Sequence, residues 1–170
     1  FSVAGGCCGT TPGHIRRLNR LRAGRRQKLP QEKQSTVITS YAAAVEIGDD
    51  PVIIGERINP TGKSKFKQAL RDHDLEFILR EGISQQERGA HVLDVNVGLP
   101  EIDEPSMMAE VIRELQGITE LPLQIDTSNT EAMARAMRVY NGKPLLNSVN
   151  GKQEVMDAVF PLVKRYGAVV

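Results

Sequence analysis

Leu121-Pro122-Leu123-Gln124-Ile125-Asp126-Thr127-Ser128-Asn129 is the stretch that decides the fold. A short apolar run stops abruptly in a polar cluster, and amphipathic segments at residues 105–116 and 131–140 flank it, so it reads as one buried strand between two helices. The same unit recurs in both directions. Upstream stand Val52-Ile53-Ile54-Gly55-Glu56-Arg57-Ile58 and His91-Val92-Leu93-Asp94-Val95-Asn96-Val97, with helices expected over 63–70 and 75–88. Downstream comes Pro144-Leu145-Leu146-Asn147-Ser148-Val149, then a helix over 153–166, then Ala168-Val169-Val170 as the start of a fifth strand. Continuous apolar strands separated by helices mark an α/β fold whose parallel sheet is covered by helices on its outer face. Four repeats and the beginning of a fifth predict about the first half of a (β/α)8 barrel of the TIM type.

Each strand finishes on polar residues: Gly55-Glu56-Arg57-Ile58-Asn59-Pro60-Thr61-Gly62, Asp94-Val95-Asn96-Val97-Gly98, Asp126-Thr127-Ser128-Asn129 and Asn147-Ser148-Val149-Asn150. The carboxyl ends of parallel barrel strands are where such barrels build their active sites. Ser128, Asn129 and Asn150 read individually as helix caps. Glu, Asp, Asp and Asn at one level on four successive strands ask for a different explanation. Carboxylates and amides around one cavity accept hydrogen bonds from the ring N–H and amino groups of a neutral planar heterocycle. The chain has no Gly-x-Gly-x-x-Gly or Walker loop, which disfavours a nucleotide phosphate site. A pterin suits this chemistry.

The motifs Gly-Glu-Arg-Ile-Asn-Pro-Thr-Gly, Gly-Ala-x-x-Leu-Asp-Val-Asn, Ile-Asp-Thr-Ser-Asn and Leu-Asn-Ser-Val-Asn resemble, in order and spacing across 51–170, the first four strand ends of the pterin-binding barrel in methyltetrahydrofolate-corrinoid methyltransferases. The resemblance places Glu56, Asp126 and Asn147 on pterin-contacting positions, with Asp94 and Asn96 supporting the same site. It also implies a further pterin-contacting Asp beyond the fourth strand. Asn147 falls on the catalytic position near N5 of 5-methyltetrahydrofolate. There the leaving nitrogen must gain a proton or a strong hydrogen bond as the methyl group departs.

At the other end stands Ala4-Gly5-Gly6-Cys7-Cys8-Gly9-Thr10-Thr11-Pro12, followed by His14 and Ile15. Adjacent thiolates can face one soft metal ion only where the backbone bends sharply, and the glycines supply that freedom. A disulfide between neighbours is disfavoured by its geometry, so Cys7 and Cys8 read as a zinc half-site. The string resembles the zinc-binding turn at the end of homocysteine methyltransferase domains, where a third cysteine lies upstream and the open position takes the substrate thiolate. This sequence holds only these 2 cysteines. A homocysteine-domain end directly before a pterin barrel resembles the cobalamin-dependent methionine synthase family. That implies zinc, cobalamin carried on a corrinoid-binding domain or protein elsewhere, 5-methyltetrahydrofolate as methyl donor and homocysteine as acceptor.

The expected organisation is therefore 1–23 as the last strand and helix of a homocysteine domain, 24–50 as an interdomain linker, and 51–170 as the first half of a pterin-binding domain. The apolar opening Phe1-Ser2-Val3-Ala4, with no initiator Met and no signal-peptide pattern, reads as a piece of a longer cytoplasmic protein. Thr11 is expected to cap a helix that begins at Pro12. Residues 24–34 are polar and basic, as in a solvated linker, and 35–50 read as an extended lead-in to the next domain. Arg16, Arg17, Arg20, Arg22, Arg25, Arg26 and Lys28 form a basic run, but it lacks interleaved aromatics. The chain carries 22 basic against 21 acidic residues, a net charge of +1. Neither nucleic acid nor membrane is an expected partner. Two other readings stand beside this one: another pterin enzyme, either a corrinoid protein methyltransferase or a relative of dihydropteroate synthase, and a linker plus half-barrel that is inactive on its own.

Overall fold

The computed structural model describes residues 4–26 and 34–170. The opening residues 1–3 and the linker residues 27–33, Lys28 among them, lie outside the described residues. The chain divides into two compact units, Phe1–Gln34 and Ser35–Val170.

In the first unit the Cys7–Thr10 turn is closed by Thr10 N–H donating to Cys7 O at 2.9 Å and Cys7 N–H donating to Thr10 Oγ1 at 2.9 Å. Glycine is required on both flanks. A Cβ on Gly6 would lie 2.2 Å from the Thr10 methyl carbon, and Gly9 adopts a φ of +79°. Helix α1, Pro12–Arg22, begins as expected after Thr11, whose N–H donates to His14 Nδ1 at 3.0 Å. The six arginines of the basic run are all exposed.

The second unit opens with β1, Thr36–Thr39, and β2, Ala44–Ile47, an antiparallel hairpin. The lead-in segment is thus part of the second unit, which starts at Ser35 and not at residue 51. Three tethers hold it there: Thr39 pairs with Lys143, the Ser40 hydroxyl donates to Glu120 O, and the Tyr140 hydroxyl donates to Thr39 O at 2.8 Å. Gly142 makes the approach possible, because a Cβ there would stand 2.3 Å from Thr39 O.

Four parallel strands follow, β3 Ile54–Ile58, β4 Val92–Val95, β5 Leu123–Asp126 and β6 Leu145–Asn147, adjacent in chain order. Each is followed by helix: α2 Ser64–Arg71 and α3 Leu75–Glu87 after β3, then α4 Glu104–Ile118, α5 Thr130–Val139 and α6 Gln153–Tyr166. The architecture is α/β with a parallel sheet. Every residue of β4 is buried, as expected of a central parallel strand. The expected fifth strand is present only as a bridge, with Leu146 N–H donating to Val169 O at 2.8 Å.

Register separates the two faces of the sheet. Leu93, Leu123 and then Val95, Ile125, Leu146 align across the strands and belong to the apolar core shared with the helices. Gly82 lets α3 approach this face: a Cβ there would lie 2.9 Å from Leu115 Cδ2 and 3.5 Å from Leu93 Cδ1. Alternation then turns Asp94, Gln124 and Asp126 to the opposite, inner face.

Candidate functional site

The inner face carries two tiers of polar side chains at the carboxyl end of the sheet. The lower tier aligns Asp94 with Gln124 and Gln124 with Leu145, and the Gln124 amide donates to the Asp94 carboxylate. In the upper tier Asp126 aligns with Asn147, and Asn96 Nδ2 donates to Asp126 Oδ2 at 2.9 Å. Asn96 is held in turn by Gly98 N–H, which donates to its Oδ1 at 2.8 Å. Four of the five expected pterin-site residues therefore share one face at adjacent levels.

Asp94 is 2 % exposed, and its carboxyl is pushed up to about 6. Burial is the main cause. The hydrogen bond from Gln124 opposes it, the charges of Asp126 and Glu56 add to it, and the Asn147 amide relieves part. Such a carboxyl is costly to leave charged and unpaired, and it favours a ligand that brings N–H donors.

Glu56, the fifth residue, lies in the middle of β3 and is more open. Lys63 Nζ lies 3.5 Å from its Oε2 and donates to its backbone oxygen at 2.9 Å. The neighbouring polar residues are structural. Asn129 Oδ1 caps α5 by accepting from Glu131 and Ala132 N–H, Asn150 Oδ1 accepts from Lys152 N–H ahead of α6, and Asn59 Oδ1 accepts from Thr61 N–H. Thr127 is tied to Glu104 through its hydroxyl and also accepts from Asn129 N–H, which fixes the turn after β5.

The cysteine turn belongs to the other unit. Cys7 Sγ and Cys8 Sγ are exposed and 3.7 Å apart. Two corners of a tetrahedral zinc site with Zn–S bonds of about 2.3 Å would be separated by about 3.8 Å, so the pair fits half of such a site. The Cys7 thiol is held below its ordinary range, first by its backbone hydrogen bond with Cys8 and then by the Cys8 side chain. His14 Nδ1 already accepts from Thr11 N–H. Among the described residues no group of three or more His, Cys, Asp or Glu side chains is placed to hold a metal ion.

A sequence profile described as "Pterin binding enzyme" matches residues 55–170. The chain belongs to the pterin-binding enzyme family. Its fold is also seen in solved structures. Dihydropteroate synthase from Xanthomonas albilineans, solved in complex with indole-2-carboxylic acid and 6-chloroguanine, superposes with a TM-score of 0.56 at 26% identity, over 75% of this chain and 47% of that one. The 7,8-dihydropteroate synthase of Vibrio fischeri ES114 gives a TM-score of 0.56 at 20% identity, over 78% of this chain and 48% of that one, a likeness of fold. Methionine synthase of Mycobacterium tuberculosis is 30% identical over 177 aligned residues, which take in 100% of this chain but 15% of that protein. The chain thus spans a small part of that relative, and its aligned region includes the cysteine turn that the pterin-binding profile leaves out.

Several residues around this inner face escape a motif reading. Gln124 lies two residues before Asp126 on the same face, and strand alternation is the signal that would have found it. Lys63 reaches Glu56 from the start of α2, and no local pattern marks it. Among the described residues no helix is long and apolar enough to cross a membrane.

Proposed function

We propose that residues 51–170 form the first half of a (β/α)8 pterin barrel, and that the chain is part of a cobalamin-dependent methionine synthase moving a methyl group from 5-methyltetrahydrofolate to cobalamin and then to homocysteine. Residues 1–23 would be the end of the homocysteine domain. The 24–50 linker would be shortened by the hairpin that the second unit claims from Ser35 onward. The protein would act in the cytoplasm. The observation that carries the reading is the inner-face arrangement: Asn96, Asp126 and Asn147 at one level above a buried Asp94 that favours donor groups.

In this reading Asp126 and Glu56 accept hydrogen bonds from the pterin ring and orient it, and Asn96 fixes the Asp126 carboxylate. Asp94 supports the site from the tier below. Asn147 presents its amide to N5, turning its carbonyl oxygen toward the proton that N5 acquires as the methyl group leaves. The methyl acceptor would be the Co(I) form of cobalamin, carried outside this chain. Cys7 and Cys8 would supply two thiolate ligands to zinc, which when complete lowers the pKa of the homocysteine thiol. The 30% identity to a methionine synthase across both the cysteine turn and the barrel strands supports methyl transfer over dihydropteroate synthesis.

Titration with 5-methyltetrahydrofolate tests the site. Asp126→Ala should weaken binding roughly ten- to a hundredfold, the range for losing a hydrogen bond to a charged acceptor. Unchanged affinity would remove Asp126 from the pterin site. Tighter binding of a pterin pyrophosphate than of 5-methyltetrahydrofolate would favour the dihydropteroate synthase reading.

A further inference from the structure

Strand β3 does not alternate. A Cβ on Gly55 would lie 2.6 Å from Gln85 Oε1, and Ile58 Cδ1 lies 3.6 Å from the Cβ position of Gly82, so Gly55 and Ile58 both face α3. Two residues separate them where regular strand geometry would place one. The β3–β4 register shifts at the same point, between Gly55 and Ile58. The consequence is that Glu56 and Arg57 are consecutive and both exposed.

An extra residue in a strand leaves a backbone N–H without its ladder partner. Here that group is Arg57 N–H, and it donates to Gln85 Oε1 at 2.7 Å. Gln85 is 7 % exposed, and its Nε2 donates to Glu81 O at 3.1 Å, which fixes the amide orientation. From the other side Lys63 Nζ donates to Glu56 O at 2.9 Å and Arg57 O at 3.3 Å. The bulge is therefore gripped by an amide behind it and an ammonium in front.

We propose that Gln85 is a positioning residue for the ligand site: its side-chain amide holds the β3 bulge, and the bulge sets the Glu56 carboxylate toward the inner face. The proposal rests on the pterin reading of that face. Gln85 itself touches no ligand. It works through Glu56, and its burial and fixed amide distinguish it from the exposed Gln86 of the same helix.

The test uses the polypeptide at its natural length, with 5-methyltetrahydrofolate as probe. Gln85→Met keeps length and volume while removing both hydrogen bonds. It should speed amide hydrogen exchange at Arg57 about tenfold or more and weaken 5-methyltetrahydrofolate binding about five- to tenfold. In a Glu56→Ala background the same substitution should change affinity less than about twofold, because a residue acting through Glu56 has nothing left to act on. Equal losses in both backgrounds would overturn the proposal, leaving Gln85 as a packing residue. Should Gln85→Met fail to fold, Gln85→Glu retains an acceptor for Arg57 N–H and should keep that amide protected; a freely exchanging Arg57 in Gln85→Glu would also overturn it. If the unsubstituted protein does not bind 5-methyltetrahydrofolate, the pterin reading fails, while unchanged Arg57 exchange in Gln85→Met is what sinks the role of Gln85.

Discussion

The Gln124 amide donates to the Asp94 carboxylate across the β4–β5 ladder, beneath the upper tier of the inner face. This bond eases but does not cancel the cost of burying Asp94, whose carboxyl stays near 6 against an ordinary value of 3.8. The folded chain therefore keeps a proton that the unfolded chain has released. Stability from this group is fully present below the unfolded value and is lost as pH rises through about 6.

Asp94→Asn should consequently stabilise the ligand-free protein at pH 7.5, by about 1–3 kcal/mol, the lower figure allowing for solvent at the mouth of the site. The advantage should fade toward about pH 3, below the unfolded value of 3.8, where both the folded and the unfolded wild-type chain are largely protonated. Urea midpoints at the two pH values measure it. A variant less stable than wild type at pH 7.5 would show that the Asp94 charge is welcome in the empty site.

Tyr140 links the hairpin to the sheet, its hydroxyl accepting from Leu123 N–H at 3.0 Å and donating to Thr39 O at 2.8 Å. Burial pushes the phenol up to about 12, so it stays a donor throughout the working range. Tyr140→Phe should cost about 1–3 kcal/mol, because Leu123 N–H is left buried without a partner. Hydrogen exchange should accelerate at Leu123 and across 36–47. A loss confined to global stability, with no local change at the hairpin, would contradict this linkage.

The sheet and its helices were legible because their apolar runs are continuous and their helix starts are capped locally, as at Asn129 and Asp103. The hairpin was not, since Thr36–Thr39 is short and finds its place through Lys143 and Tyr140, about a hundred residues away in sequence. Asp94, Asn96, Asp126 and Asn147 could be read as one group because a parallel ladder keeps equivalent strand positions level. The β3 bulge could not. Gly-Glu-Arg-Ile fits regular alternation equally well, and only the Gln85 side chain on another element reveals the extra residue.

Zinc should bind the described cysteine turn weakly, since two thiolates 3.7 Å apart fill two corners of a tetrahedron and His14 Nδ1 is already engaged. Competition with a chromophoric chelator measures the affinity, and Cys7→Ser and Cys8→Ser should each abolish what binding there is. Submicromolar 1:1 retention by the 170-residue chain would mean that a further ligand lies within it.

Asn147 sits level with Asp126 at the end of β6, and Thr127 N–H donates to its backbone oxygen at 3.0 Å. The backbone is thereby fixed, and the amide side chain lies on the inner face beside the Asp94 carboxylate. A contact that strengthens only as N5 gains its proton contributes to the transition state more than to the bound ground state. Asn147→Ala should therefore slow single-turnover methyl transfer to free cob(I)alamin by about ten- to a hundredfold, while 5-methyltetrahydrofolate affinity changes by about threefold or less. The two measurements separate the roles of neighbouring residues, because Asp126→Ala should show the reverse pattern, losing affinity first. Equal losses of rate and affinity in Asn147→Ala would make it a binding residue like Asp126, and an unchanged transfer rate would remove it from the chemistry.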